Sequence, residues 1–202
     1  DRFADAIDRS QRSLTERVLD PDADADSRLA WFHEVAGGPH VTEICQKLLA
    51  SPHDEPHALL YEAAMHLGDI EVLGALLGSE QLAVGRIDPL IPLVADVAPA
   101  AAIHGLSFSP HPRMWARALE LATTDELLRG ALVLTEKYLQ TNTSDGAVFA
   151  QRIAESSLPE APDTLRNLAL ASNTDTAITA VIGLGALGSV ADIAGLRARQ
   201  RG

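Results

Sequence analysis

The chain has 202 residues, enough for one large domain or at most two small ones, and it can bury roughly two thirds to three quarters of its unfolded surface without a disulfide or structural metal. Apolar residues make up 47%, charged residues 22% and aromatics 4%; the balance excludes disorder and collagen, and the Ala- and Leu-rich remainder is a helix-former composition. The net charge of −12, from 28 acids against 16 bases, repels phosphate backbones and anionic membrane surfaces and attracts basic proteins.

In chain order, almost every segment carries the i, i+3, i+4, i+7 pattern of an amphipathic helix. The first covers residues 2–19, with Phe3, Ile7, Leu14 and Val18 inward. The next covers 27–35 and stops at Gly37-Gly38-Pro39, followed by one over 40–50. Pro56 opens a helix over 56–67 that ends at Gly68. Asp69 caps the next, 70–77, which ends at Gly78. Pro89, Pro92 and Pro99 are expected to break 87–105 into short helical pieces. A cleaner helix follows over 113–123, and Thr124 caps another over 125–139. Four more cover 144–156, 161–171, 174–187 and 189–200. No run shows the alternation of an exposed-face strand. The expectation is about eleven to thirteen helices of roughly 10 to 17 residues on short loops.

Two segments read alike. Leu67-Gly68-Asp69 and Leu187-Gly188-Ser189 each end a helix in Gly, cap the next, and lead through apolar positions to a Leu; 118–128 is a weaker echo. This pattern resembles HEAT-like repeats, including the short kind of bilin-lyase-like proteins. Residues 109–122 and 161–174 are similar to leucine-rich repeat variants. The resemblance implies an all-α, right-handed αα-superhelix, a HEAT-like solenoid of about five or six helix pairs, in a single domain over 1–202. The iron–sulfur site of some variant-repeat proteins does not carry over, because Cys45 is the only cysteine.

Few constellations point to chemistry. Cys45 falls on the apolar face of Val41, Ile44, Leu48 and Leu49 and reads as a small core residue. The run Asp20, Asp22, Asp24, Asp26 has calcium-loop spacing but lacks the Gly and the closing Glu, so it reads as a solvated loop with an N-cap. Gly183-Leu184-Gly185-Ala186-Leu187-Gly188 fits G-x-G-x-x-G, and residues 179–182 have strand character. No second strand or downstream acid follows, and the glycines read as a close helix approach. His53 and His57 straddle Pro56, and Glu62 and His66 share a helix face; without a third convergent ligand no metal is assigned. No nucleophile elbow or phosphate loop is present, so no catalytic residue and no cofactor is assigned.

The aromatic candidates are Trp31-Phe32 and Trp115. Trp115 stands among Arg113, Arg117 and His111, and a partly exposed Trp flanked by Arg makes a binding anchor; those four residues are the expected partner-binding site. The expected function is a non-catalytic scaffold or protein–protein interaction module favouring a basic partner, one version being an inhibitor or immunity-type protein. The protein is expected in the cytoplasm, away from membranes and nucleic acid. The alternative is a HEAT-like enzyme, such as an alkylpurine DNA glycosylase or bilin-lyase-like subunit, with a Trp and a perturbed carboxylate in a pocket. A third reading is a fragment of a longer repeat protein.

Overall fold

The computed structural model describes residues 14–188. Among these every regular element is helical. Residues 14–18 form a helical segment, followed by α1 (Ala25–Val35), α2 (Val41–Ala50), a single 3₁₀ turn (Pro52–Asp54), α3 (His57–Leu67), α4 (Ile70–Leu76) and α5 (Val84–Val97). Then come α6 (Pro99–Phe108), α7 (Pro112–Leu121), α8 (Asp125–Gly130), α9 (Leu134–Gln140), α10 (Asp145–Glu155), α11 (Ala161–Leu168) and α12 (Thr174–Ala186). The chain divides into two compact units at the Ala98–Pro99 junction, where sequence reading drew one domain. No described helix is long and apolar enough to cross a membrane.

The helix ends follow local chemistry. Asp24, Asp69, Thr124 and Asn173 each accept the backbone N–H three residues on, which satisfies one orphan donor of α1, α4, α8 and α12. Gly68 closes α3 at φ 67°, a left-handed conformation that a Cβ would penalise, and its N–H reaches the Ala64 carbonyl.

Three expectations need correction. Pro89 and Pro92 lie inside α5, which runs unbroken for 14 residues. Both prolines sit on the exposed side of α5, and Gly85 and Asp88, whose carbonyls lose their i+4 donors, are not buried. Water can therefore take the place of the missing amides. The helix expected over 125–139 is two short ones, α8 and α9. Gly130 ends α8, and the turn at 131–133 buries Ala131. The helices are also shorter than expected, from 6 to 14 residues. The expected helix over 189–200 and the start of that over 2–19 lie outside the described residues.

In the first unit α3 packs on α1, α2 and α4, and α4 packs on α5. Its core holds Val18, Phe32, Val35, Ile44, Cys45, Leu48 and Leu59. Arg28 is only 2% exposed among them. Its Nε donates to the Val18 carbonyl at 2.7 Å, and its Nη2 meets Glu55 Oε2 at 2.6 Å. The buried charge is thus matched by a carboxylate and by the carbonyl that ends the 14–18 segment, which is what tolerates it.

In the second unit α6 packs on α7 and α8, α9 on α11, and α10, α11 and α12 on one another. A set of polar contacts here keeps nearly one spacing along the chain. Arg152 donates to the carbonyls of Leu119 and Ala122, 33 and 30 residues earlier. The Ser157 N–H donates to Asp125 Oδ2, 32 residues earlier, at 2.8 Å. Arg129 pairs with Glu160 across 31 residues at 3.1 Å. The Ser172 N–H donates to the Leu139 carbonyl 33 residues back, and the Asn173 amide to Asn142 across 31.

Two glycines set the approach of α10 and α12. A Cβ on Gly146 would fall 2.5 Å from Thr176 Oγ1, and one on Gly183 would fall 2.6 Å from Ala154 Cβ. The start of α10 therefore meets the start of α12, and the ends also meet. The two helices run parallel in close contact, with α11 packed on both.

Candidate functional site

The expected anchor fails on burial. Trp115 is 3% exposed, because α7 turns Met114, Trp115, Ala118 and Leu119 inward as one face. Its indole N–H donates to the Ser109 carbonyl at 2.7 Å. Its ring meets Tyr138 edge-on at 5.8 Å, and Tyr138 stacks obliquely on Phe149 at 5.5 Å. Trp115 is therefore a core residue joining α7, α9 and α10, with no face to offer a partner. Arg113 and Arg117 are exposed on α7, and Arg117 pairs with Glu120 at 2.5 Å. His111 precedes α7 without a side-chain cap bond, and its backbone N–H donates to Ser109 Oγ at 3.3 Å. The quartet is close in sequence, but its Trp and its charges face opposite ways.

Other candidates resolve into structure. Cys45 is fully buried, and burial pushes its thiol up to about 11, so it carries almost no thiolate at neutral pH. The Asp20–Asp26 run is exposed, with Asp24 on the Ser27 N–H at 2.9 Å. Gly183 and Gly185 lie within α12, and residues 179–182 are helix where a dinucleotide fold needs a strand. Glu62 faces His33 and Arg86, at 4.0 and 3.6 Å. Among the described residues no three His, Cys, Asp or Glu side chains converge as a metal site.

The structure does bring His53 and His57 to one place. They border a cleft of about 530 Å³ in the first unit, between the end of α2, the 3₁₀ turn, the start of α3 and α4. Leu60 and Leu76, both nearly fully buried, form its floor, and the half-buried Leu49 and Val72 form its sides. Asp69 and Glu71 stand on the rim at the start of α4. Asp69 Oδ1 is engaged by the Val72 N–H at 3.1 Å. Among the described residues Glu71 is exposed and makes no hydrogen bond or ion pair. Smaller grooves of about 370 and 270 Å³ lie in the second unit.

His57 is held from behind. Its Nδ1 makes a short hydrogen bond with Ser79 Oγ. That oxygen already accepts the N–H groups of Gln81 and Leu82, at 3.1 and 3.2 Å. Ser79 Oγ thus ties His57 to the turn that precedes α5. Ser79 is 6% exposed and pins the turn before α5. Sequence reading missed this pair, since 22 residues and two helices separate its members.

Charge is split between the units. Residues 1–98 hold 18 acids and 7 bases, a net −11, while residues 99–202 hold 10 and 9, a net −1. Every carboxylate from Glu16 to Asp96 is exposed or half-exposed. The cleft thus lies in the unit that carries nearly all of the negative charge. No family model, no curated protein and no solved structure matches this chain.

Proposed function

We propose that the protein is a non-catalytic helical-repeat module that binds a basic partner protein, as an inhibitor or immunity-type protein does. The observation that carries this reading is the concentration of acid in residues 1–98, with every carboxylate from Glu16 to Asp96 exposed or half-exposed. Eleven unbalanced negative charges on one compact unit destabilise it by self-repulsion. A cationic partner relieves that repulsion and is steered to the surface by it.

The repeat part of the proposal is supported in the second unit by the spacing of 30 to 33 residues between hydrogen-bonded positions and by the parallel pairing of α10 with α12. A stack of helix pairs repeats its contacts at one offset, because each unit touches only its neighbours. An offset near 31 is below the roughly 40–47 residues of ordinary HEAT units, so the short class of repeat is the better fit. The glycosylase alternative loses its main support with Trp115 in the core.

The test is affinity capture from native extract on the immobilised chain, at low and moderate salt, with bound proteins identified by mass spectrometry. The expected result is a stoichiometric protein of basic composition that is released as salt rises. A blank, or a stoichiometric acidic protein, overturns the proposal.

A further inference from the structure

We infer that the cleft between α2, α3 and α4 is the seat for an arginine side chain of that basic partner. The inference rests on the basic-partner reading and adds a place and a residue type to it. The cleft is within the ~300–1,000 Å³ of ordinary ligand pockets. Its chemistry has two parts. The floor and sides, Leu60, Leu76 and Val72, are apolar and suit a hydrocarbon stem. The rim carries the free carboxylate of Glu71 and the second oxygen of Asp69, whose first oxygen is committed to the helix cap.

An arginine matches both parts at once. Its three methylenes cover the apolar wall, and its planar guanidinium meets a carboxylate with two parallel N–H donors. Lysine offers only a compact, strongly hydrated charge, so the site discriminates between them. Glu71 is open to such a pairing because no cation of the described chain neutralises it. His57, held by Ser79, adds an imidazole wall. The surrounding net charge of −11 supplies the long-range attraction, and the cleft supplies the short-range fit.

The experiment uses the full chain and a fluorescent peptide of alternating Arg and Leu, read by anisotropy, with a Lys/Leu peptide for comparison. Two variants alter the cleft at exposed positions, Glu71→Lys and Ala75→Phe. Asp96→Lys makes the same charge change on α5, away from the cleft. The expected result is tighter binding of the Arg peptide than the Lys peptide, weakened about tenfold by either cleft variant and less than about twofold by Asp96→Lys. Circular dichroism checks that all three variants keep the native helix content. Equal weakening by Glu71→Lys and Asp96→Lys, with none from Ala75→Phe, overturns the cleft assignment and leaves the basic-partner reading standing. No binding of either peptide also overturns the assignment; if the capture experiment is blank as well, both readings fall.

Discussion

In the second unit the polar contacts between elements join residues 30 to 33 apart, and glycines let α10 and α12 approach side chain to backbone. In the first unit the corresponding contacts span 22, 24, 27 and 29 residues and converge on a few side chains: Arg28, His57 and Glu62. One region keeps nearly one contact spacing and is nearly neutral; the other does not and carries the acid. The two units hold their elements together in different ways. The second unit spreads its polar contacts over several helices, whereas the first concentrates them at Arg28, His57 and Glu62. The cleft of about 530 Å³ lies in the first unit, and the smaller grooves of about 370 and 270 Å³ lie in the second.

The contrast can be broken most forcefully at Arg28. Arg28→Ala leaves Glu55 and the Val18 carbonyl without their partner and should cost about 3–5 kcal/mol. Arg28→Met, which removes the charge but keeps the volume, should cost clearly less if desolvation of Arg28 offsets much of the pair's attraction. Chemical denaturation measures both, and Cys45 reports on the first unit alone. Its thiol should be inert to Ellman's reagent in the native chain at pH 7 and react when that unit opens.

Next in size is Gly183→Val, which forces side-chain carbon into Ala154 and Leu165 and should cost about 1–3 kcal/mol by separating α12 from α10 and α11. The thermal midpoint should fall while Cys45 stays protected at temperatures where the second unit has begun to open. Arg152→Ala removes two donors from the C-terminal carbonyls of α7 and should cost about 2 kcal/mol. Arg152→Lys should recover only part of this, because an ammonium does not reproduce the guanidinium fork.

The smallest effect is a matched pair of caps, one in each unit. Asn173→Ala should cost about 1 kcal/mol at any pH near neutral. Asp24→Ala should behave differently with pH. Hydrogen bonds from Ser27 hold the Asp24 carboxyl below its ordinary value of 3.8. Its stabilising contribution is therefore present above that value and is lost as pH falls through the lowered folded value. The difference between Asp24→Ala and the parent chain should shrink in acid denaturation below pH 3.8.

Helix identity was largely legible from sequence, because apolar periodicity and punctuating Gly, Asp and Thr act within a few residues. Asp69, Gly68 and Thr124 sit at helix ends as read, for the capping reasons given. The prolines of α5 misled, because a proline's effect depends on whether its freed carbonyl faces water, and that is a tertiary fact. Gly130 misled in the other direction, since the 3.6 period runs through it although α8 stops there. The site was mostly illegible. Trp115 looked like an anchor because its arginine neighbours are close in sequence, but helical geometry sends positions 113 and 117 away from 115. The pairing of His57 with Ser79, and the meeting of His53 with Glu71 across a cleft, depend on elements that only packing brings together.

The most direct test of the division between the units is hydrogen exchange on the full chain, with and without the Arg/Leu peptide, resolved to single helices. Slower exchange on binding is expected at the end of α2, the start of α3 and in α4, residues 49–76, with no change in α10 to α12. Protection centred on residues 145–186, or spread evenly over both units, would contradict the account.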